Sequence, residues 1–220
     1  MKITYKASIC LVIASGLLVS CTTADPTAYS GLASAQHLKA DTSDRNGRVP
    51  YSYNSGANWS HYDKVIVDPV TVYRGQDSQF VKVSEQDKVA LASYMQSRFT
   101  QKLRTRFSVV SAPAPGTLRV HLTLTGAKTT TPVLGPFSHL DVGGGMYNAV
   151  QAFRDKEGTM TGSVSYAVEI FDTTTSTLLS AYVTKQYPNA MNVGASFGSL
   201  KASEVAIDKG AEALLSRLRP

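Results

Sequence analysis

Both cysteines of this 220-residue chain, Cys10 and Cys21, lie within its first 21 residues. The rest of the chain therefore has neither a thiol nor a disulfide, which excludes a cysteine nucleophile, a redox pair and a zinc–cysteine site there. Its fold must be held together by an apolar core alone. The length beyond Cys21 suffices for one domain with such a core and a tether.

The N-terminus has the organisation of a signal peptide. Two lysines precede an apolar run over residues 7–19, which is too short to span a bilayer comfortably. The run ends in Leu18-Val19-Ser20-Cys21, the pattern of a lipobox, in which the chain is cut before the cysteine and the cysteine is acylated. We therefore predict a lipoprotein signal peptide over residues 1–20 and a lipid anchor, with fatty-acyl chains such as palmitate, on Cys21. The alternatives are an ordinary cleaved signal and an uncleaved anchor helix.

The residue after the cysteine and the net charge bear on location and partners. Thr22 stands in place of the aspartate that commonly retains lipoproteins at the inner membrane, so we expect attachment to the outer membrane on its periplasmic side. The net charge of +6 falls to +4 once Lys2 and Lys6 are removed, which is mildly basic and not diagnostic. Since the sequence has no basic run with interleaved aromatic residues, we expect no nucleic-acid partner.

Residues 21–58 are predicted to form a lipidated tether, because they are rich in Ser, Thr, Ala, Asp and Gly and lack lasting periodicity. Docking of residues 29–32 and of Leu38 on the domain is left open. Four aromatic residues near the end of this stretch either cover one edge of the core or form a binding surface: Tyr51, Tyr53, Trp59 and Tyr62.

Residues 59–220 are predicted to form a single α+β domain with an irregular insertion at 128–158. Alternating or β-branched runs predict strands over 64–73, 107–110, 118–125, 160–170 and 178–187. Helices are predicted over 84–106 and 200–218, where Gly210 permits close approach. One apolar stripe on the first helix consists of Val89, Ala92, Met95, Phe99 and Leu103. Because consecutive strands follow short turns, we expect an antiparallel sheet of about five strands with both helices on one face.

Several short motifs resemble a family of proteobacterial lipoproteins that is classed only as a domain of unknown function, DUF3313. They are Tyr29-Ser30-Gly31-Leu32, the strand opening at 62–70, Gly162-Ser163-Val164 and Phe171-Asp172. The resemblance covers nearly the whole mature chain and implies no established chemistry. A looser similarity to small periplasmic domains of envelope-assembly lipoproteins, including the curli-secretion type, concerns the fold alone.

The chemical motifs give no support for catalysis. Gly194-Ala195-Ser196-Phe197-Gly198 matches a nucleophile elbow, but no histidine follows it, since the last is His139. The other histidines, His37, His61 and His121, are too scattered to predict a metal site. Glu169, Asp172 and Asp141 have no spacing that predicts a shared site, and Gly143-Gly144-Gly145 lacks the lysine of a phosphate loop. We expect no catalytic residue, no metal and no cofactor.

One charged pattern has two interpretations. Arg98, Lys102 and Arg106 lie four residues apart on a different face of the first predicted helix from the apolar stripe. They form either a solvated face that complements the negative helix end or a phosphate-binding stripe.

Three hypotheses about function follow. The leading one is a lipid-anchored, non-enzymatic envelope protein that faces the periplasm and binds a protein or an envelope polymer. The second is an accessory subunit of an envelope-assembly or export machine, and the third is a hydrolase of an envelope polymer. A sheet face with exposed aromatic residues would favour the first, whereas a deep polar cleft with converging carboxylates would favour the third.

Overall fold

The computed structural model of the protein describes residues 25–44, 46–129, 162–188 and 200–220. The predicted signal peptide, Cys21, most of the predicted insertion, His139, Asp141 and Ser196 lie outside these residues.

Within the described residues the chain forms nine strands and two α-helices. The helices are α1 (Glu85–Leu103) and α2 (Lys201–Arg217). The strands are β1 (Lys39–Ala40), β2 (Tyr51–Asn54), β3 (Lys64–Val67), β4 (Thr71–Val72), β5 (Gln79–Val81), β6 (Ser108–Val109), β7 (Thr117–Lys128), β8 (Ser163–Asp172) and β9 (Leu178–Gln186). A single 3-10 turn covers Trp59–His61.

The strands form one mixed sheet in the order β1-β2-β9-β8-β7-β3-β6, and β4 and β5 also pair with β7. The strands from β1 to β7 in this order are antiparallel, whereas β3, β4 and β5 run parallel to β7. The expected α+β class is confirmed, but the expectation of about five antiparallel strands is wrong. Because α1 carries the chain back across the sheet between β5 and β7, the strands on either side of it run parallel.

The predicted strand 64–73 is divided into β3 and β4. Pro69 lies in the break, as expected for a residue that cannot donate a hydrogen bond to a ladder. The predicted strand 118–125 extends over β7, in which a register shift between Leu124 and Gly126 accommodates the added residues.

Helix α1 begins at a side-chain cap and presents one buried stripe. The hydroxyl oxygen of Ser84 accepts a hydrogen bond from the backbone N–H of Asp87 at 3.1 Å. The buried residues are Leu91, Ala92, Met95, Phe99 and Leu103. Val89, which was predicted to belong to this stripe, is 58% exposed. It lies about 120° around the helix from Met95, outside the arc that faces the sheet.

Both helices pack on one face of the sheet, where their apolar residues meet every second residue of β7 and β8. A smaller apolar cluster on the other face consists of Tyr29, Leu32, Ala167 and Val183, with Leu38 and Tyr51 beside it. Part of the predicted tether therefore packs against the sheet. The strand β2 also lies within the residues predicted as tether. Neither helix in the described part of the chain combines the length and apolarity needed to cross a membrane.

Candidate functional site

A cavity of about 260 Å3 lies where β2 and β9 approach the end of α2. We call it the Trp59 cavity. Its apolar floor consists of Ile170, Tyr182 and Leu218. Polar and aromatic residues complete its lining, namely Asp41, Ser52, Asn54, Trp59, Ser180 and Arg217.

Local structure places Trp59 beside this floor. The 3-10 turn that carries it is capped by Asn58, whose side-chain oxygen accepts a hydrogen bond from the backbone N–H of Ser60 at 3.1 Å. Arg106 donates to the carbonyl oxygen of Trp59 at 3.1 Å and so ties the turn to the end of α1. The Trp59 side chain is half-buried and packs against the main core.

Tyr182 has the least usual environment in the cavity. It is 3% exposed, and its hydroxyl is buried with no hydrogen-bond partner among the described residues. Burial raises its pKa, while the charge of Arg217 acts in the opposite direction. The Arg217 guanidinium lies over the Tyr182 ring, 4.6 Å from the ring centroid. Buried hydroxyls are normally paired, so this one is an exception, and it lies within the packed interior, out of reach of a cavity ligand.

Opposite charges and an amide complete the polar lining. Asp41 accepts hydrogen bonds from Ser43 Oγ at 2.6 Å and from Ser52 Oγ at 3.1 Å. The bonds from Ser43 and Ser52 and the charge of Arg217 lower the Asp41 pKa, so the carboxylate is ionised and offsets the arginine. Asn54 Oδ1 accepts from the backbone N–H of Gly56 at 2.9 Å, and no described contact uses the amide N–H donors of Asn54.

The four predicted aromatic residues do not form one surface. Trp59 lines the cavity and Tyr53 borders it, although the Tyr53 ring contacts the ring of His37 at 5.3 Å. Tyr51 packs beside the small cluster on the opposite face of the sheet. The Tyr62 ring lies beside that of Trp59, with the ring centroids 6.4 Å apart, but Tyr62 does not line the cavity.

Tyr62 packs on the main core and donates a hydrogen bond to Asp172 Oδ2 at 2.9 Å. Burial is the largest cause of the rise in the Tyr62 pKa to about 12, followed by the hydrogen bond and charge of Asp172. This residue therefore has a structural role between the 3-10 turn and the β8–β9 hairpin.

Sequence reasoning missed Asp41, Asn54, Tyr182 and Arg217. Asp41 and Asn54 lie in the stretch that was interpreted as a tether, and Arg217 lies in the last turn of a helix, where a basic residue is ordinary. The alternation of β9 indicated that Tyr182 faces one side of the sheet, but only tertiary structure reveals that its hydroxyl lacks a partner.

The remaining candidate residues are dispersed. In the described ranges, no three histidine, cysteine, aspartate or glutamate residues come close enough to hold a metal ion. Glu169 is buried and accepts a hydrogen bond from the backbone N–H of Ser34 at 2.6 Å, whereas Asp172 lies at the β8–β9 turn. The two carboxylates thus belong to different environments.

The basic stripe of α1 makes contacts within the domain. Arg98 pairs with Asp208 and Lys102 with Glu212, and both partners belong to α2. These two residues therefore link the helices while remaining partly exposed, which argues against a phosphate-binding stripe at these two positions.

Solved structures similar to this chain are distant. PelC from Paraburkholderia phytofirmans, solved as a dodecamer, is 12% identical over 76% of this chain and 94% of its own, with a TM-score of 0.39. Protein XCC0632 from Xanthomonas campestris is 8% identical over 72% and 86% of the two chains, with a TM-score of 0.36. No curated protein matches the chain.

The family comparison covers most of the chain. The model of the family described as "Protein of unknown function (DUF3313)" matches residues 28–214. This range includes the N-terminal segment that packs on the sheet face opposite the helices, every described strand and nearly all of α2. The chain therefore belongs to the DUF3313 family, as its short motifs indicated.

Proposed function

We propose that this chain is a lipid-anchored protein of the bacterial envelope that binds a glycan in the Trp59 cavity, without catalysis. Cys21 attaches it to the outer membrane, and the domain faces the periplasm. The lipobox at residues 18–21 supports the anchor. The unused amide N–H donors of Asn54, beside Trp59 and Arg217 in one cavity, are the observation that carries the binding function.

The composition of the cavity favours a sugar ring over other small ligands. Sugar rings present C–H faces that pack on aromatic side chains and hydroxyls that both donate and accept hydrogen bonds. Trp59 supplies the aromatic surface, while Asn54 and Arg217 supply polar partners. Because Asp41 and Arg217 offset each other, the cavity suits an uncharged, hydroxyl-rich unit.

The chain between anchor and domain is short enough to keep the cavity near the membrane. Gln79 Nε2 donates to the carbonyl oxygen of Asp25 at 2.7 Å, so Asp25 is attached to β5. The four residues from Cys21 to Asp25 can span at most about 14 Å. Gln79 pairs with Gly126, which pairs with Ser165. From Ser165 the strand β8 rises about 17 Å to the cavity floor at Ile170. A polymer in the periplasmic space next to the membrane can therefore reach the Trp59 cavity.

The fluorescence of Trp59 tests the proposal directly, because it is the only tryptophan in the chain. The mature domain carrying Cys21→Ser would be titrated with muramidase-solubilised peptidoglycan and, separately, with lipopolysaccharide. We expect a saturable change in Trp59 emission with at least one of these glycans. Asn54→Ala and Arg217→Ala should each weaken binding by about tenfold or more, the effect of one lost polar contact.

The matched control is Arg98→Ala, which removes the same charge from the pair with Asp208 on the helices. It should leave the titration unchanged, and circular dichroism would verify the fold of each variant. No emission change with either glycan, or equal losses in Arg217→Ala and Arg98→Ala, would contradict glycan binding in the cavity.

A further inference from the structure

We propose that the opposite face of the sheet carries a second binding site, centred on Arg119, for an anionic group attached to an apolar ring. The anion is a phosphate or a carboxylate. This site is independent of the Trp59 cavity and does not rest on the function proposed for it. A groove of about 490 Å3 contains it, which we call the Arg119 groove, lined by Asp68, Arg119, His121, Phe171, Thr173 and Ser176 beside Asp172.

The alternation of β7 creates the groove. Leu118, Val120 and Leu122 are buried under the helices, so the residues between them, Arg119 and His121, point to the other face. The docked N-terminal segment covers a different part of this face, around Ala167 and Val183. The groove therefore lies on the part of the face that remains open.

Asp68 holds the two basic side chains together. Arg119 Nε lies 3.2 Å from Asp68 Oδ1 and 3.0 Å from Oδ2, and His121 Nε2 lies 2.6 Å from Oδ2. A carboxylate only accepts hydrogen bonds, so His121 Nε2 carries the proton in this contact. The arginine is thereby fixed through its Nε, while its terminal nitrogens stay available.

The two carboxylates in the groove already accept hydrogen bonds. Both oxygens of Asp68 are engaged as above. Asp172 Oδ1 accepts from the backbone N–H groups of Thr174 at 2.7 Å and Thr175 at 2.8 Å, and its Oδ2 accepts from Tyr62. A cation or a donor-rich ligand would thus have to displace existing bonds.

The terminal NH2 groups of Arg119, by contrast, have no described partner. The described contacts of Arg119 involve Nε alone, which leaves both terminal NH2 groups. The planar guanidinium matches the paired oxygens of a phosphate or carboxylate. Because the carboxylates are engaged while both terminal NH2 groups of Arg119 are not, the groove offers a ligand a pair of charged donors, which a phosphate or carboxylate matches best.

Phe171 determines what the anion is attached to. It pairs with Arg119 in the register of β7 and β8, and its ring lies 5.1 Å from the ring of His121. The aromatic ring thus lies in the same groove as Arg119 and offers an apolar surface of its own. A ligand with an anionic end and a ring or short apolar body would use both.

Phenyl phosphate is the probe that combines the two features. Binding to the Cys21→Ser domain would be measured by NMR titration, with inorganic phosphate and phenol as the partial probes. We expect phenyl phosphate to bind about tenfold or more tightly than inorganic phosphate, and phenol to bind weakly. Arg119→Gln should weaken phenyl phosphate binding about tenfold or more. Phe171→Ala should reduce its advantage over inorganic phosphate.

Arg98→Gln is the matched control, because it removes one paired arginine from the other face of the sheet and should leave binding unchanged. A thermal melt distinguishes the proposed binding role from the alternative in which Arg119 is purely structural and only links β7 to Asp68. In that case Arg119→Gln lowers the melting temperature without changing probe binding, which would overturn the proposal. Failure of phenyl phosphate to bind would overturn it too. Trp59 emission should not respond to this probe, so the outcome is separable from that of the Trp59 cavity.

Discussion

Phe99 shows how much stability a single core side chain contributes. It is fully buried, and its ring meets the ring of Tyr166 edge-on at 5.6 Å, which joins α1 to β8. Phe99→Ala should lower the free energy of unfolding by about 3–5 kcal/mol, since the surrounding residues cannot fill the space. The neighbouring change Arg98→Ala, at a half-exposed ion pair, should have a much smaller effect. Urea unfolding measures both, and a wild-type midpoint for Phe99→Ala would contradict the packing of α1.

The pairing of Tyr62 with Asp172 gives the domain an acid-sensitive contact. Hydrogen bonds from the Thr175 backbone, from Tyr62 and from Thr174 outweigh desolvation and lower the Asp172 pKa. A carboxyl whose folded pKa lies below the unfolded value of about 3.9 stabilises the fold above that pH. This contribution disappears as the pH falls through the folded pKa.

Asp172→Asn should therefore destabilise the domain at neutral pH and make it less sensitive to acid below about pH 4 than the wild type. Tyr62→Phe, which removes one of the bonds to Asp172, should have a smaller effect in the same direction. Urea midpoints at pH 7 and pH 3 measure the difference. Parallel loss of stability in wild type and Asp172→Asn between these pH values would argue against this contact.

At the scale of the elements, a glycine allows α2 to approach the sheet. A Cβ at Gly210 would collide with the hydroxyl oxygen of Tyr166 on β8. Gly210→Ala should therefore destabilise the domain, although alanine normally stabilises a helix interior by about 0.5–1 kcal/mol relative to glycine. Combining it with Tyr166→Phe, which removes the hydroxyl, should restore only part of the loss, because the ring carbon Cζ would still lie 2.9 Å from the added Cβ. A thermal melt of Gly210→Ala at or above that of the wild type would show that α2 is not this close.

Periodicity predicted the elements better than their arrangement. The two helices and the strands β6 to β9 follow from local apolar patterns, and the cap at Ser84 follows from its sequence. The parallel pairing of β3, β4 and β5 with β7 did not follow, because it depends on the crossover through α1. The four-residue strand β2 alternates aromatic and polar residues, but it was missed because its Ser-, Asn- and Gly-rich surroundings indicated a tether.

For the whole molecule, the candidate site was predictable only in part. The aromatic cluster before the first strand directed attention to Tyr53 and Trp59, which meet at the cavity. The sequence separates Asp41, Tyr182 and Arg217 widely. Only the pairing of β2 with β9 and the packing of α2 on β9 bring these residues together. The Arg119 groove could not be predicted from the sequence for the same reason, because Asp68 follows β3 whereas its partners Arg119 and His121 lie on β7.

The proposed lipid on Cys21 would hold the whole molecule at the membrane. Cys21→Ser should abolish labelling by radioactive palmitate, and the chain should be released or remain as an uncleaved precursor. The lipid signal peptidase inhibitor globomycin should cause a precursor of the wild-type chain to accumulate. Palmitate labelling that persists in Cys21→Ser, or a mature mass unchanged by globomycin, would contradict lipidation at this residue.

Photo-crosslinking in intact cells is the most direct test of the central claim, that the anchored domain holds an envelope glycan in the Trp59 cavity. A photoreactive amino acid would replace Asn54 in the cavity lining, and in a parallel strain it would replace Val89, which is 58% exposed on α1. We predict an adduct from position 54 that shifts on muramidase digestion or reacts with antibody to lipopolysaccharide, and no such adduct from position 89. An adduct from position 54 that contains only protein, or the same glycan adduct from both positions, would contradict the claim.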